Sequence, residues 1–223
     1  MKVTAVILAK EEETTIADIV RRARPHVDRV IVVDGMSRDN TRAEAERAGA
    51  EVVSDHGLGK GDGYRVGIEM APKEGAIVFL DADGSHDPGD IPILVKPLAD
   101  GKADIVVASR WRAGSDDIDA SFSSLVRNVG GNLLTVLISK RYGATVTDAL
   151  NGYRAIRADR AHELDLKAND FDIEHEMIIK ALKKGWHVVE VPSHEYARAG
   201  GKSKLPTYRK FYLFFWRFMI NMF

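Results

Sequence analysis

Two carboxylates one residue apart, Asp81 and Asp83, close the apolar run Ile77–Leu80 in the stretch IVFLDADGSHDP. A continuous apolar run of this kind reads as a strand covered on both faces, here Ile77–Asp81. Strand side chains alternate, so Asp81 and Asp83 can point the same way from the strand's carboxyl end. In open α/β sheets that end is where ligands bind. Neighbouring carboxylates repel unless something neutralises them, and a hard divalent cation would do so. A solvated acidic turn is the plainer reading of the same residues.

Other stretches also carry reactive residue types. The loop His56–Gly63, HGLGKGDG, holds four glycines and Lys60. Such glycines let backbone approach a phosphate and the lysine adds charge, although the Ser or Thr that follows a P-loop lysine is missing. A flexible turn explains this loop equally well. Arg110 and Arg112 follow the apolar run Ala103–Ser109 directly. After Glu195 no acidic residue occurs, whereas Arg198, Lys202, Lys204, Arg209, Lys210 and Arg217 are basic. Among them lies the aromatic run Phe211–Phe223. As a helix that run spans about 20 Å, short of the roughly 30 Å hydrocarbon core of a bilayer. A short basic and aromatic helix suits a membrane interface. Packing on the domain, a dimer contact, or the approach to a true membrane span are the competing readings.

Elements that would position these residues follow from periodicity. Val3–Leu8, Arg29–Val33 and Glu51–Ser54 read as strands. Between them, Glu11–Arg24 carries Ile16, Ile19, Val20 and Ala23 at helical spacing, and Asp39 is placed to cap a helix running to Ala48. Tyr64–Met70, Asp90–Ala99, Leu125–Ile138 and Phe171–Lys183 read as further helices, with strands at Ala103–Ser109, Tyr153–Arg157 and Trp186–Val191. Glu174 and Glu176 lie on the Phe171 helix, and at least one is expected on a solvated face. Strand and helix alternate as in a doubly wound, mostly parallel sheet.

Composition bounds the partners. The 223 residues suffice for one large α/β domain, and 45% are apolar. A net charge of −1 argues against a general nucleic-acid binder. There is no cysteine, so neither a disulfide framework nor a thiolate metal site is available. The N-terminal apolar run ends in charge and reads as a first strand rather than a signal peptide.

Taken in order, the motifs resemble family 2 glycosyltransferases of GT-A fold, and among them the dolichol-phosphate mannose synthase-like group. VILAKEEETTI is similar to that family's VIPAYNEEENI, VVDGMSRDNT to VVDDGSTDGT, GKG to its Gly-Lys-Gly loop, and DADGSHDP to DADLQHPP. DALNGYR resembles D-x-x-x-G-F-R, and RAGGKSK resembles R-x-x-G-x-S-K. Leu8, Glu11, Gly35 and Ser85 depart from the usual Pro, Asn, Asp and Gln.

The resemblance implies a catalytic domain over residues 1–204, a basic aromatic helix over 205–223, and a place on the cytosolic face of a membrane. It implies transfer of a hexose from a nucleotide-diphosphate sugar, GDP-mannose first and UDP-glucose second, to a polyprenyl or dolichyl phosphate. Mg²⁺ or Mn²⁺ would be held by Asp81 and Asp83, with Ser85 ligating or leaving that place to water, and His86 holding the loop in preference to serving as a third ligand. The donor would meet Leu8, Ala9, Glu11, Glu13, Asp34, Lys60, Gly61, Ala82 and Arg198. The acceptor phosphate would meet Arg110, Arg127, Ser203 and Lys204, and Asp148 would orient the sugar, approach the attacking oxygen or brace its turn. A transferase with a hydroxyl-bearing acceptor, a non-catalytic nucleotide-sugar binder and a nucleotidyltransferase are the alternatives. The last would carry a Gly-rich loop after the first strand, where this chain has AKEEE.

Overall fold

In the computed structural model the described residues are 1–116, 133–199 and 219–220. The first half alternates strand and helix: β1 Val3–Ala9, α1 Ile16–Ala23, β2 Arg29–Asp34, α2 Thr41–Arg47, β3 Glu51–Ser54, α3 Lys60–Met70 and β4 Ala76–Asp81. After it come α4 Ile91–Ala99, β5 Ile105–Ser109, the single turn α5 Arg110–Ala113, and a helical stretch over 133–142, here α6. The chain continues through β6 Arg154–Arg157, α7 Ala158–Glu163, α8 Ile173–Lys183 and β7 Val188–Pro192.

Among the described residues these strands form one seven-stranded sheet in the order β3-β2-β1-β4-β6-β5-β7. All neighbours are parallel except β6, which runs antiparallel to β4 and β5. That reversal matters for the site. The chain enters β6 from the edge where its neighbours end, so the turn Asp148–Gly152 lies at their carboxyl ends.

The continuous apolar character of β4 is explained by two cores. Ile77 and Phe79 face one cluster, and Ala76, Val78 and Leu80 face the other. Fully burying side chains of this size contributes about 1.5–3 kcal/mol each, so the strand carrying the acidic pair is among the most firmly held parts of the chain.

Boundaries differ from the periodic reading in instructive places. Glu11 adopts φ 54°, a left-handed conformation that cannot sit in a helix, so the first helix starts only at Ile16. Asp39 caps one residue early, its Oδ1 accepting from the Thr41 amide at 3.0 Å, while Asn40 occupies the N-cap position. The glycine-rich loop is half helix, because α3 begins at Lys60 rather than Tyr64. The helix expected from Leu125 is described only over 133–142, and the boundary near 204 with the C-terminal helix lies outside the described residues apart from 219–220. No helix among the described residues is long and apolar enough to cross a membrane.

Candidate active site

The sheet register brings the ends of three strands together. Ala9 stands opposite Asp34 and Leu8 opposite Asp81. Leu8, Ala9 and Ala82 contribute backbone here. The Ala82 amide donates to the Leu8 carbonyl at 3.1 Å, and the Gly35 amide to the Ala9 carbonyl at 2.8 Å. Asp34 is buried, its Oδ1 accepting from the Ser37 amide at 3.2 Å. The loops after β1 and β2 are stitched to each other. Glu11 donates its amide to Ser37 Oγ at 2.8 Å, and Glu13 Oε2 accepts from the Asn40 amide and side chain at 3.0 and 3.1 Å. Buried Glu12 donates its amide to Thr41 Oγ1 at 2.8 Å.

The acidic pair lies at the middle of this edge, and each carboxylate has its own cation. Asp81 Oδ2 lies 2.9 Å from Lys60 Nζ, which lies 2.9 Å from Glu174 Oε1 on the first turn of α8. Burial penalises charge at both Lys60 and Asp81. The attraction of the carboxylates outweighs it, holding Lys60 well above the ordinary lysine range, while Lys60 and its neighbours hold Asp81 below the ordinary carboxylate range. Asp83 Oδ1 accepts from Ser85 N at 3.0 Å and Ser85 Oγ at 2.6 Å, and its Oδ2 pairs with Arg198 at 3.0 Å. His86 is buried, stacks on Tyr153, and accepts the Asp81 amide through Nδ1 at 3.1 Å. It holds the loop by its ring.

Gly61 has a different reason from the expected phosphate cradle. Its amide donates to the Asn169 carbonyl at 2.9 Å, and a Cβ there would lie 2.3 Å from the Ala168 carbonyl oxygen. The close approach that needs glycine is made by the chain's own backbone, so this amide is not free for a ligand.

A strap runs from β7 back across the acidic loop. Tyr196 N donates to Ser85 O at 2.9 Å and Ala199 N to Asp83 O at 3.0 Å. Glu195, at the start of this strap, accepts from Ser115 Oγ at 2.6 Å and lies 3.4 Å from Arg110 Nη1. Arg110 grips Asp148 in bidentate fashion, Nε to Oδ2 at 2.8 Å and Nη2 to Oδ1 at 2.7 Å, and adds its amide at 3.0 Å. Burial works against its charge, but Asp148 and Glu195 outweigh it and hold Arg110 above the ordinary arginine range. Glu190 in turn accepts the Thr147 and Asp148 amides at 2.6 and 2.7 Å. Arg110 therefore differs from the free phosphate-binding cation expected of it, since two carboxylates already surround it. Arg127, Ser203 and Lys204 lie outside the described residues.

Several site residues escaped the sequence reading. Glu174 and Glu176 are both buried, against the expected solvated face. Glu176 accepts the Lys167 and Ala168 amides at 2.9 and 2.7 Å, and Glu174 completes the Lys60 pair. Gly152 lies against that pair, and fully buried Arg154 donates to the Glu174, Ala149 and Asn151 carbonyls. An acidic residue in the first turn of a helix was a weak signal for Glu174, because surface helices carry the same pattern.

The donor set can be tested against a metal. Among the described residues no group of three or more His, Cys, Asp or Glu could hold an ion by itself. Sites for Mg²⁺ commonly supply only one or two carboxylates and leave the rest to water and substrate phosphates. Asp81 and Asp83, oxygen ligands already drawing cations, fit that class.

The description "Glycosyl transferase family 2" matches residues 4–164. Glycosyltransferase AglJ of Haloferax volcanii is 32% identical over 85% of this chain and 61% of its own length, so the chain spans about three fifths of that relative. Undecaprenyl-phosphate mannosyltransferase of Micrococcus luteus is 32% identical over 83% of this chain and 79% of its own. Among solved structures, glucosyl-3-phosphoglycerate synthase from Mycobacterium tuberculosis, in complex with Mn²⁺, UDP and glucosyl-3-phosphoglycerate, superposes with a TM-score of 0.77. It is 21% identical, over 99% of this chain and 80% of its own, which is a likeness of fold.

Proposed function

The chain belongs to glycosyl transferase family 2, and from that premise we propose that it moves a hexose from a nucleotide-diphosphate sugar to a polyprenyl phosphate at a membrane surface. GDP-mannose is the first donor to test and UDP-glucose the second. The observation that carries the reading is the acidic pair at the carboxyl end of β4, bordered by the buried Asp34 on one side and the Asp148 turn on the other.

Asp34 meets the nucleoside and the Asp81–Asp83 pair meets the diphosphate. Asp81 and Asp83 would hold Mg²⁺ or Mn²⁺, which would supply Lewis-acid stabilisation to the departing diphosphate; the mycobacterial synthase is in complex with Mn²⁺ and UDP. Arg198, already over Asp83, passes to a diphosphate oxygen and helps exclude water. An acceptor oxygen attacks the anomeric carbon as its bond to the diphosphate breaks, and the electron pair leaves with the nucleoside diphosphate. One displacement inverts the configuration.

Two features support a phosphate acceptor over a hydroxyl. A hydroxyl needs a general base, but both oxygens of Asp148 are engaged by Arg110. A monophosphate with its second pKa at about 6 is largely dianionic at neutral pH and needs none. Beside Asp148, a groove of about 660 Å³ is lined by Trp111, Val136, Ala144 and Val146 with Lys140 among them, a surface suited to an isoprenoid chain. The name of the Micrococcus relative points the same way. Radiolabelled GDP-mannose or UDP-glucose, incubated with polyprenyl phosphate in liposomes and Mn²⁺, should place label in the organic phase. No organic-phase label with any donor refutes the reading, and label on 3-phosphoglycerate instead would support a soluble acceptor.

A further inference from the structure

We infer that Glu174 is a positioning residue that sets the cation affinity of Asp81 by charge compensation through Lys60. The inference rests on the reading that Asp81 and Asp83 hold a divalent cation.

Lys60 Nζ sits between Asp81 Oδ2 and Glu174 Oε1 at 2.9 Å from each, and only 13% of the Lys60 side chain is exposed. The ammonium also lies 5.3 Å from the centre of the Phe171 ring. An isolated Lys60–Asp81 pair would be neutral. An arriving cation would then meet a carboxylate whose charge is already cancelled, with an ammonium behind it. Glu174 changes this balance. Three groups carrying two negative charges and one positive leave the cluster at −1, so Asp81 keeps a net attraction for a cation while Lys60 holds its carboxylate in one orientation.

Glu174 is suited to this part because it cannot drift away. It is buried in the first turn of α8, and its backbone carbonyl accepts from fully buried Arg154 at 2.9 Å. Gly152 packs against all three members of the cluster, where a Cβ would lie 2.9–3.2 Å from their charged atoms, while the Asp81 side chain keeps 25% exposure on the side open to a cation. Metal ligands commonly depend on such outer partners for orientation and strength.

Charge compensation and a purely structural role differ in sign. Under compensation, Glu174→Gln keeps the shape but leaves Lys60 uncompensated, and Mn²⁺ should bind about tenfold more weakly, the scale expected for one unit charge near a partly screened site. Lys60→Met removes the opposing charge and should tighten Mn²⁺ binding by a similar factor, even though it lowers stability. The double variant should return close to the wild-type affinity. A structural role predicts weaker binding in all three.

The test is Mn²⁺ affinity measured by electron paramagnetic resonance on the full chain without donor, with thermal melting recorded for each variant. Opposite shifts for the two single variants support the inference. Unchanged affinity in Glu174→Gln, or weakening in both folded single variants, overturns it. Should Lys60→Met not fold, Lys60→Gln takes its place, because a neutral amide also removes the opposing charge and so separates tightening from the weakening that a structural role predicts. Failure of the underlying reading would look different: Asp83→Asn would then leave the affinity of the wild type untouched.

Discussion

Replacing Gly152 with alanine should do damage that its backbone does not foretell. Gly152 is absent from the left-handed residues, so its conformation suits any amino acid. At such positions Gly→Ala ordinarily stabilises by about 0.4–1 kcal/mol, through the unfolded chain. The space is what forbids it. A Cβ at 152 would lie 2.9 Å from Lys60 Nζ, 3.1 Å from Asp81 Oδ2 and 3.2 Å from Glu174 Oε1. Optimal carbon contacts lie near 3.5–4.0 Å, so the methyl intrudes on all three members of the cluster at once. Lys60 ends a flexible chain, yet it cannot retreat without lengthening a charge-assisted hydrogen bond to one carboxylate.

Overpacking of this kind costs about 1–3 kcal/mol, and loss of one hydrogen bond to a charged group about 1.5–3 kcal/mol more. Allowing for the entropic gain, Gly152→Ala should destabilise by about 1.5–5.5 kcal/mol. Urea unfolding would report it as a fall in midpoint at constant slope. Hexose transfer should fall as well, because the displaced ammonium no longer aligns Asp81. A double cycle with Lys60→Met should show coupling above about 1 kcal/mol, since removing the ammonium relieves the closest contact. A variant as stable as the wild type, or more stable, would refute the packing argument outright.

Asp81→Asn and Asp83→Asn should each lower transfer by at least about a hundredfold, and chelation followed by Mn²⁺ or Mg²⁺ should abolish and restore it; activity that survives the chelator would count against a metal. His175 lies on the buried face of α8, and burial, helped by Arg154, lowers its pKa to about 3 from 6.5. The unfolded chain therefore binds a proton between those values that the fold refuses, and stability falls as pH drops from 6.5 toward 3, by about 2 kcal/mol at pH 5. The loss of urea stability between pH 7 and pH 5 should be smaller in His175→Gln than in the wild type, and equal losses would discount the imidazole. Glu11→Asn should gain about 0.5–1 kcal/mol, because asparagine tolerates the left-handed backbone at φ 54° better; a thermal melt with no gain would show that the loop carries no strain there.

The sequence made the sheet and the acidic pair legible because both are local. The run Ile77–Leu80 announces a strand buried on both faces, and Asp81 and Asp83 break it abruptly. What escaped is set by partners distant along the chain. Lys60 and Glu174 stand 114 residues apart, and no spacing rule links them. Gly61 illustrates the same limit in reverse. A glycine beside a lysine suggests a bound phosphate, but the atom that requires glycine is a backbone oxygen delivered by Ala168. Glu176 misled because helical periodicity records which face is polar, and a polar face turned inward toward the Lys167 and Ala168 amides looks identical to one turned toward water.

Arg110 gives the sharpest separation between the two accounts of the acceptor side. If it bound the acceptor phosphate directly, Arg110→Lys would preserve a positive charge and raise the apparent KM for the lipid with little effect on folding. The geometry argues otherwise. Its guanidinium makes two parallel contacts to Asp148 at 2.7 and 2.8 Å, which lysine cannot reproduce, and Glu195 lies on its remaining edge. Two carboxylates around one guanidinium leave no net positive charge to offer a phosphate dianion. Arg110→Lys should therefore lower stability by about 1–3 kcal/mol through the loosened Asp148 turn. It should also lower kcat while leaving the KM for polyprenyl phosphate within about twofold. A rise in that KM with unchanged stability would return Arg110 to the acceptor phosphate, and would require Asp148 to release it when the lipid binds.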